Sequence, residues 1–275
     1  MTYATLLALA DGGPTCDAVL GAAVQLARRF RAQLEVVHLK ADPASLVPVV
    51  GEGMSGALIE QMIDSMTRML EGRAKQARGA YDRVVGTSGV TATWREIAGP
   101  GPENIATAAR FSDLTILARP AGEDSVTQSA LLDAAVFDTG RPVMIVPAGP
   151  TAPIGEKVAI AWNGTAYSAR AVSDAMPLLK SAKQVTIIAL GEDDKAAPAA
   201  ALAGYLARHE VAAAVTRHEL GHNPIGRTLL ERTSALGADL LVMGGYGHSR
   251  LREMMLGGAT RHVLNNATIA VLMAH

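Results

Sequence analysis

Short apolar runs alternate with longer stretches of helical periodicity along this chain, and the whole alternation occurs twice. Thr5–Leu9 is an apolar run that leads through Ala10 into Asp11-Gly12, with a helical pattern over residues 16–29 behind it. Lys157–Trp162 leads into Asn163-Gly164, with a helical pattern over residues 168–179 behind it. Four further pairs of apolar runs follow in the same order: 34–39 and 185–190, 90–97 and 211–220, 113–118 and 239–244, 142–146 and 269–273. Runs this continuously apolar suit strands covered on both faces. Their alternation with amphipathic segments predicts βαβ units and a parallel sheet. A fixed order of elements that recurs marks a tandem architecture.

The joint between the copies is Pro147-Ala-Gly-Pro-Thr-Ala-Pro153, whose Pro and Gly density predicts a linker. The predicted fold is therefore α/β, with two tandem doubly wound five-stranded parallel-sheet domains of Rossmann-like type, residues 1–148 and 154–275. Such sheets bind ligands at the carboxyl ends of their strands. The first copy holds about 50 residues between its second and third strands and the second copy about 20. The extra part carries a long helical pattern over residues 55–85, with Leu58, Met62, Met66, Met69 and Leu70 at helical spacing. This stripe is expected to face the core; the alternative is an adaptable Met-rich surface for a partner or a pocket lid.

The fourth strand of the second copy runs into Gly244-Gly-Tyr-Gly247-His-Ser-Arg-Leu-Arg-Glu-Met-Met-Leu-Gly257-Gly258-Ala-Thr260, and a helical pattern follows over residues 259–264. Glycine lets a backbone approach a ligand closely. A loop that enters a helix N-terminus presents free N–H groups and a positive dipole end to an anion. The expectation is an anion site around Gly257, Gly258 and Ala259, with His248, Arg250 and Arg252 as nearby positive groups or as solvated loop residues.

The tandem plan, the Asp11-Gly12 and Asn163-Gly164 turns and the Gly244-x2-Gly247-x9-Gly257 spacing resemble the universal stress protein family in its tandem form, over essentially the whole chain. The resemblance implies an adenine nucleotide alpha hydrolase-like fold that binds ATP, with or without Mg²⁺, in the second domain and acts in stress response or signalling. It implies that Trp162 and Asn163 lie near adenine and ribose, that Ile188 or Ala189 flanks the base, and that Met243 and Gly244 back the nucleotide. Gly247, Gly257, Gly258 and Ala259 would hold the phosphates, with His248 and Thr260 beside them. The chain departs from the family pattern at Asn163, where the family has Asp, and at Gly258, where it has a hydroxyl residue. Thr260 is a candidate to supply that hydroxyl. The first copy keeps Asp11-Gly12 but reads Arg119-Pro-Ala-Gly-Glu-Asp-Ser125 in place of the glycines, and Glu123 and Asp124 disfavour a phosphate there. It is expected to serve as a pseudo-dimer partner, through pairing of Val143–Val146 with residues 270–273; a homodimer of the whole chain is also open. The rival of another class is an interaction protein of the same fold without nucleotide, Trp162 having filled the pocket.

Composition narrows the classes. A net charge of -1 and ten aromatic residues among 275 argue against a basic nucleic-acid binder or a base-stacking platform. No apolar run approaches the ~20 residues of a membrane span. The first residues lack a basic start and Asp11 interrupts their apolar stretch, so no signal peptide and a cytoplasmic location are expected. The lone Cys16 fits a reducing compartment. Cys16 is expected to be a buried structural thiol, although its place at a helix start could favour a thiolate. Two motifs are set aside. His218-Glu219-Leu-Gly-His222 matches a zinc protease signature, but that chemistry needs both histidines on one helical face, and Gly221 and Pro224 break any helix. Gly221-His-Asn-Pro-Ile-Gly226-Arg227-Thr228 mimics a P-loop without its lysine. Ser249 is read as an ordinary loop serine. No general base or carboxylate cluster for rapid ATP hydrolysis is found, and Asp239 lies at the wrong end of its strand.

Overall fold

The computed structural model describes residues 2–43, 56–99, 101–122, 125–149, 153–191, 199–219, 223–245 and 258–275. The first half runs β1 (Thr5–Leu9), α1 (Cys16–Phe30), β2 (Gln33–Lys40), α2 (Gly56–Ala80, closing in a π-helical turn over Tyr81–Val85), β3 (Ala92–Ala98), α3 (Gly101–Ala109), β4 (Leu114–Ala118), α4 (Ser125–Phe137) and β5 (Val143–Val146). The second runs β6 (Lys157–Trp162), α5 (Ala166–Asp174), α6 (Met176–Ser181), β7 (Gln184–Leu190), α7 (Ala199–Arg208), β8 (Ala213–His218), α8 (Ile225–Ala235), β9 (Leu240–Gly244), α9 (Gly258–Asn266) and β10 (Ala270–Ala274).

All of these strands form one ten-stranded sheet in the order β3-β2-β1-β4-β5-β10-β9-β6-β7-β8. Each half is parallel throughout and has the doubly wound order third, second, first, fourth, fifth. The halves meet where β5 and β10 pair antiparallel, with Met144 opposite Leu272 and Ile145 opposite Val271. The fifth strands thus pair within the chain, and every residue of both strands is buried.

Alternation along the strands sends side chains to two cores. Leu6, Ala8, Met144, Val158, Ile160 and Leu272 meet α1, α5, α6, α7 and the end of α2 on one face. Leu7, Leu9, Ile145, Ala159, Leu241 and Val271 meet α3, α4, α8 and α9 on the other. Both cores run across the joint of the halves. Polar ties cross it too: Tyr3 Oη donates to the Asp174 carbonyl at 2.7 Å, and Ile154 N donates to Gln25 Oε1 at 2.7 Å.

An aspartate anchors the amino end of the first strand in each half. Asp113 accepts from the backbone N–H groups of Ala4 and Thr5 at 2.7 and 3.0 Å. Asp239 accepts from Gly155, Glu156 and Lys157 at 2.6, 3.0 and 2.9 Å. Asp239 is therefore committed to strand entry, at the end of the sheet opposite the ligand-binding edge.

Two expectations need correction. The helix expected over 168–179 is two helices broken at Ala175, because Pro177 sits in the first turn of α6 and has no N–H to continue α5. The Met-rich stripe of α2 does not face the core. Only Ala77 and Ala80 of that helix are buried, while Leu58, Ile59 and Met69 are 46%, 37% and 48% exposed. The helix packs on α1 and β2.

Candidate functional site

A doubly wound sheet opens a crevice where neighbouring strands send their following helices to opposite faces. That point lies between β1 and β4 in the first half and between β6 and β9 in the second.

The first crevice is filled by the chain itself. Gly12 has φ +71°, and a Cβ there would run into the carbonyl oxygen of Arg73, so the backbone of α2 rests directly on the turn. Asp11 accepts from Gly13 N at 2.9 Å and, through its other oxygen, from Gln128 Nε2 at 2.9 Å. Gln128, itself buried, accepts from Ala121 N at 3.0 Å. One glutamine thus joins the turn after β1 to the segment after β4. His38 at the end of β2 is 5% exposed; its Nδ1 pairs with the Ala10 carbonyl at 2.7 Å, and its ring stacks on Trp94.

The second crevice has the same backbone and different contents. Gly164 has φ +72°, matching Gly12. Asn163 Oδ1 accepts from the backbone N and the hydroxyl of Thr165 at 3.2 and 2.8 Å, and Thr165 Oγ1 caps α5 by accepting from Ser168 N. The amide oxygen is therefore used in the turn, which leaves the Asn163 NH₂ as its donor for a ligand. Bulk is exchanged between neighbouring strands. Trp162 is paired in register with Ala189, whereas the first half has Ala10 beside His38. The Trp162 Nε1 is buried and has no acceptor among the described residues.

The expected base neighbours fall on both faces of the sheet. Trp162 and Ala189 belong to the α5–α7 side, Ile188 and Met243 to the α8–α9 side. Ile188, Ala189 and Met243 are 1%, 0% and 6% exposed, so they are core positions. Gly244 is required by packing: a Cβ there would lie 2.6 Å from Ser168 N and 2.7 Å from Tyr167 C, because the first turn of α5 rests on it. Gly258 is different. It opens α9, is exposed, and among the described residues a Cβ there would meet no heavy atom within 4 Å. Thr260 is buried at 6%, whereas Arg261 in the same turn is exposed. Gly247, His248, Ser249, Arg250, Arg252 and Gly257 lie outside the described residues.

Gly226, noted in the sequence only as part of a P-loop-like run, sets the position of α9. A Cβ there would lie 2.7 Å from both Ala259 O and His262 Cβ, so α8 and α9 touch backbone to backbone. Sequence reasoning did not single out His275, which stacks on Tyr167 at 4.6 Å and whose carbonyl accepts from Arg170.

The set-aside chemistry has little structural footing. His218 ends strand β8, and burial followed by the charge of Arg232 lowers its pKa; residues 220–222 lie outside the described residues. Among the described residues no group of three His, Cys, Asp or Glu could hold a metal ion, and no helix is long and apolar enough to cross a membrane. Cys16 is buried, and its pKa is raised to about 11, chiefly by that burial. The thiolate reading of Cys16 is thereby corrected.

Residues 156–275 match the model of the universal stress protein family. A universal stress protein from Archaeoglobus fulgidus DSM 4304 superposes over 98% of this chain and 97% of its own, with a TM-score of 0.72 and 16% identity. A functionally unknown protein from Pseudomonas aeruginosa PAO1 covers 99% of this chain and 92% of its own, with a TM-score of 0.59 and 12% identity. A putative universal stress protein from Pseudomonas aeruginosa UCBPP-PA14 covers 99% and 93%, with a TM-score of 0.56 and 13% identity. At these identities the likeness is one of fold, and it extends over both halves. No curated protein matches the chain.

Proposed function

The second half of the chain belongs to the universal stress protein family and the first half repeats its fold; from that premise we propose that the protein binds one adenine nucleotide, ATP with Mg²⁺, at the carboxyl edge of the second half. In this reading it is a nucleotide-responsive module of the stress response, cytoplasmic in location, with residues 1–148 as a structural partner domain and 154–275 as the binding domain.

The observation that carries the reading is the asymmetry of the two crevices. The first is closed by Gln128 and the backbone of Arg73, whereas at the second no described residue comes within 4 Å of a Cβ placed on Gly258, where α9 starts. Exposed N–H groups at a helix start suit a phosphate. The fit at the base end rests on Trp162. A buried donor without an acceptor is costly, about 1–3 kcal/mol, and a purine ring nitrogen would satisfy it. Asn163, Gly244, Gly247, His248, Gly257 and Ala259 complete the proposed contacts. The activity proposed is binding; Asp239, on β9's flank, is occupied at the opposite end of the sheet.

The test is a pair of measurements. Heat-denaturing the purified protein and chromatographing the supernatant should release an adenine nucleotide, or ATP with Mg²⁺ should raise the melting temperature of the empty protein. Gly258→Asp meets none of the described residues and favours the helix dipole, so it should keep the fold while its charge repels phosphate. Absence of both nucleotide and thermal shift would favour the interaction protein without nucleotide, in which the Trp162 ring, packed against the core, merely plugs the crevice.

A further inference from the structure

The carboxyl end of a helix leaves carbonyls without partners, and its dipole favours a positive charge beside them. Several helices of this chain meet that need locally. Helices α1, α7 and α8 each carry arginine in the last turn. Helix α4 has no basic residue there, but Arg110 of the same half donates through Nε to the carbonyl of Asp138, just past its end, at 3.2 Å. Helix α9 also lacks a basic residue in its last turn. It is nine residues long and starts at an exposed glycine, so contacts rather than propensity hold it in place.

At this point the halves diverge. Asp113 and Asp239 are equivalent, as the anchors of strand entry, so the counterpart of Arg110, three residues earlier, is Leu236. Leu236 packs against the core and offers no charge. The end of α9 is served instead from the other half. The backbone bond that closes the helix joins Ala267 N to the Val263 carbonyl at 2.8 Å. The next two carbonyls, of Leu264 and Asn265, accept from Arg119 Nη1 at 3.3 and 2.6 Å. Arg119 follows β4 directly and belongs to the first half. Helix α4 is thus capped within its own half, whereas α9, whose start lies at the second crevice, is capped across the joint.

We propose that Arg119 is a positioning residue through which the first half sets α9, and with it the phosphate affinity of the second crevice. This rests on the reading that the start of α9 meets a phosphate. A cation at one end of the helix and an anion at the other act on the same element, so each favours the placement the other needs. By linkage, nucleotide bound at the Gly258 end strengthens the hold of the first half on α9 by the same factor.

Arg119→Met in the full chain tests this. The Arg119 Nε is buried without an acceptor among the described residues, so methionine removes an orphaned donor together with the cap, and the fold should tolerate it. In the empty protein, hydrogen exchange of the α9 amides should quicken several-fold while that of α4 stays as it was. ATP with Mg²⁺ should bind about fivefold more weakly, and adenosine, which lacks the phosphates, equally well. Arg119→Lys keeps the charge and a donor and should recover most of the ATP affinity. Arg119→Gln, a polar alternative should methionine misfold, should behave as Arg119→Met does. Arg110→Met uncaps α4 instead; it should quicken exchange there and leave ATP affinity unchanged, which separates the positioning of α9 from general loosening. Unaltered α9 exchange in the uncapped variants overturns the proposal, as does an ATP affinity equal to that of the wild type, or a loss shared equally by adenosine. A wild-type chain that binds no nucleotide overturns the underlying reading instead, and α9 exchange then decides alone whether Arg119 positions the helix.

Discussion

Gly258→Ser is the substitution that most directly interrogates the proposed phosphate site. Among the described residues a Cβ at Gly258 meets no heavy atom within 4 Å, so the serine enters without steric cost from them. It removes the penalty that glycine carries in a helix, about 0.5 kcal/mol at such a position. If the first turn of α9 faces a phosphate, the new hydroxyl adds one hydrogen bond to a charged group. Such bonds contribute about 1.5–3 kcal/mol, and ordering the side chain offsets part of that. The net expectation is about 1.4 kcal/mol, a tenfold tighter Kd for ATP. Titration calorimetry reads this directly. At saturating ligand the thermal stabilisation should also grow, by RT ln 10 or about 1.4 kcal/mol. Adenosine supplies the internal control, since it shares the base and ribose and lacks the phosphates, so its affinity should not change. An unchanged ATP affinity in a variant with an intact melting curve would place the phosphates away from α9. An equal gain for adenosine would put the hydroxyl at the other end of the ligand.

Three further outcomes follow from the same packing. Gly226→Ala should destabilise the protein by about 1–2 kcal/mol, because overpacking against Ala259 and His262 outweighs the gain in helix propensity; ATP affinity should fall with it as α9 is pushed outward, and a wild-type melt would contradict the contact. Trp162→Phe removes the orphaned N–H and keeps an aromatic ring. It should leave the empty protein as stable or more so and weaken ATP binding about tenfold, at the ~1.4 kcal/mol of one hydrogen bond; unaltered affinity would mean that the indole reads nothing on the ligand. The Asp174 carboxyl is raised in pKa by burial, partly opposed by Arg170 and Arg141. Its folded form holds a proton more tightly than its unfolded form, so its contribution is fully present below the ordinary carboxylate pKa and is lost as pH rises through the folded value. Asp174→Asn should therefore raise the melting temperature at pH 8 and leave it unchanged at strongly acidic pH; equal effects at both would show that ionisation is not the cause.

The repeat was readable because strands covered on both faces are continuously apolar, and ten such runs in two matching series leave little room for another topology. Strand limits moved by a residue or two. The break at Ala175 was written in the sequence as Pro177, but helical periodicity on both sides hid it. Other features depended on contacts that periodicity does not encode. The stripe of α2 has the spacing of a core-facing helix, and nothing in spacing says where the body of the protein stops. Gly12 looks the same whether a ligand or the backbone of Arg73 rests on it. Gly244 illustrates the ambiguity in reverse, since its missing Cβ is needed by the first turn of α5 whatever else approaches. A glycine reports that something comes close; only the fold says what. Gln128 could not be found from sequence because its two partners, Asp11 and Ala121, come together only when β1 and β4 lie side by side.

The differences between the halves are local, yet they are coupled through the joint. Arg119 and Gly245 occupy equivalent places, since Arg119 N donates to the Val146 carbonyl at 2.8 Å and Gly245 N to the Ala274 carbonyl at 2.8 Å. In the second half the position carries no side chain, and a Cβ there would strike Met273. In the first half it carries an arginine whose Nη1 reaches across the joint to the carbonyls of Leu264 and Asn265, at 3.3 and 2.6 Å. These are the last carbonyls of α9, where a positive charge complements the helix dipole. The half that closed its own crevice thus holds one end of the helix whose other end, at Gly258, carries the proposed phosphate contact. At Arg119 the first half thus contributes a side chain to the second, in a place where the second half has only Gly245.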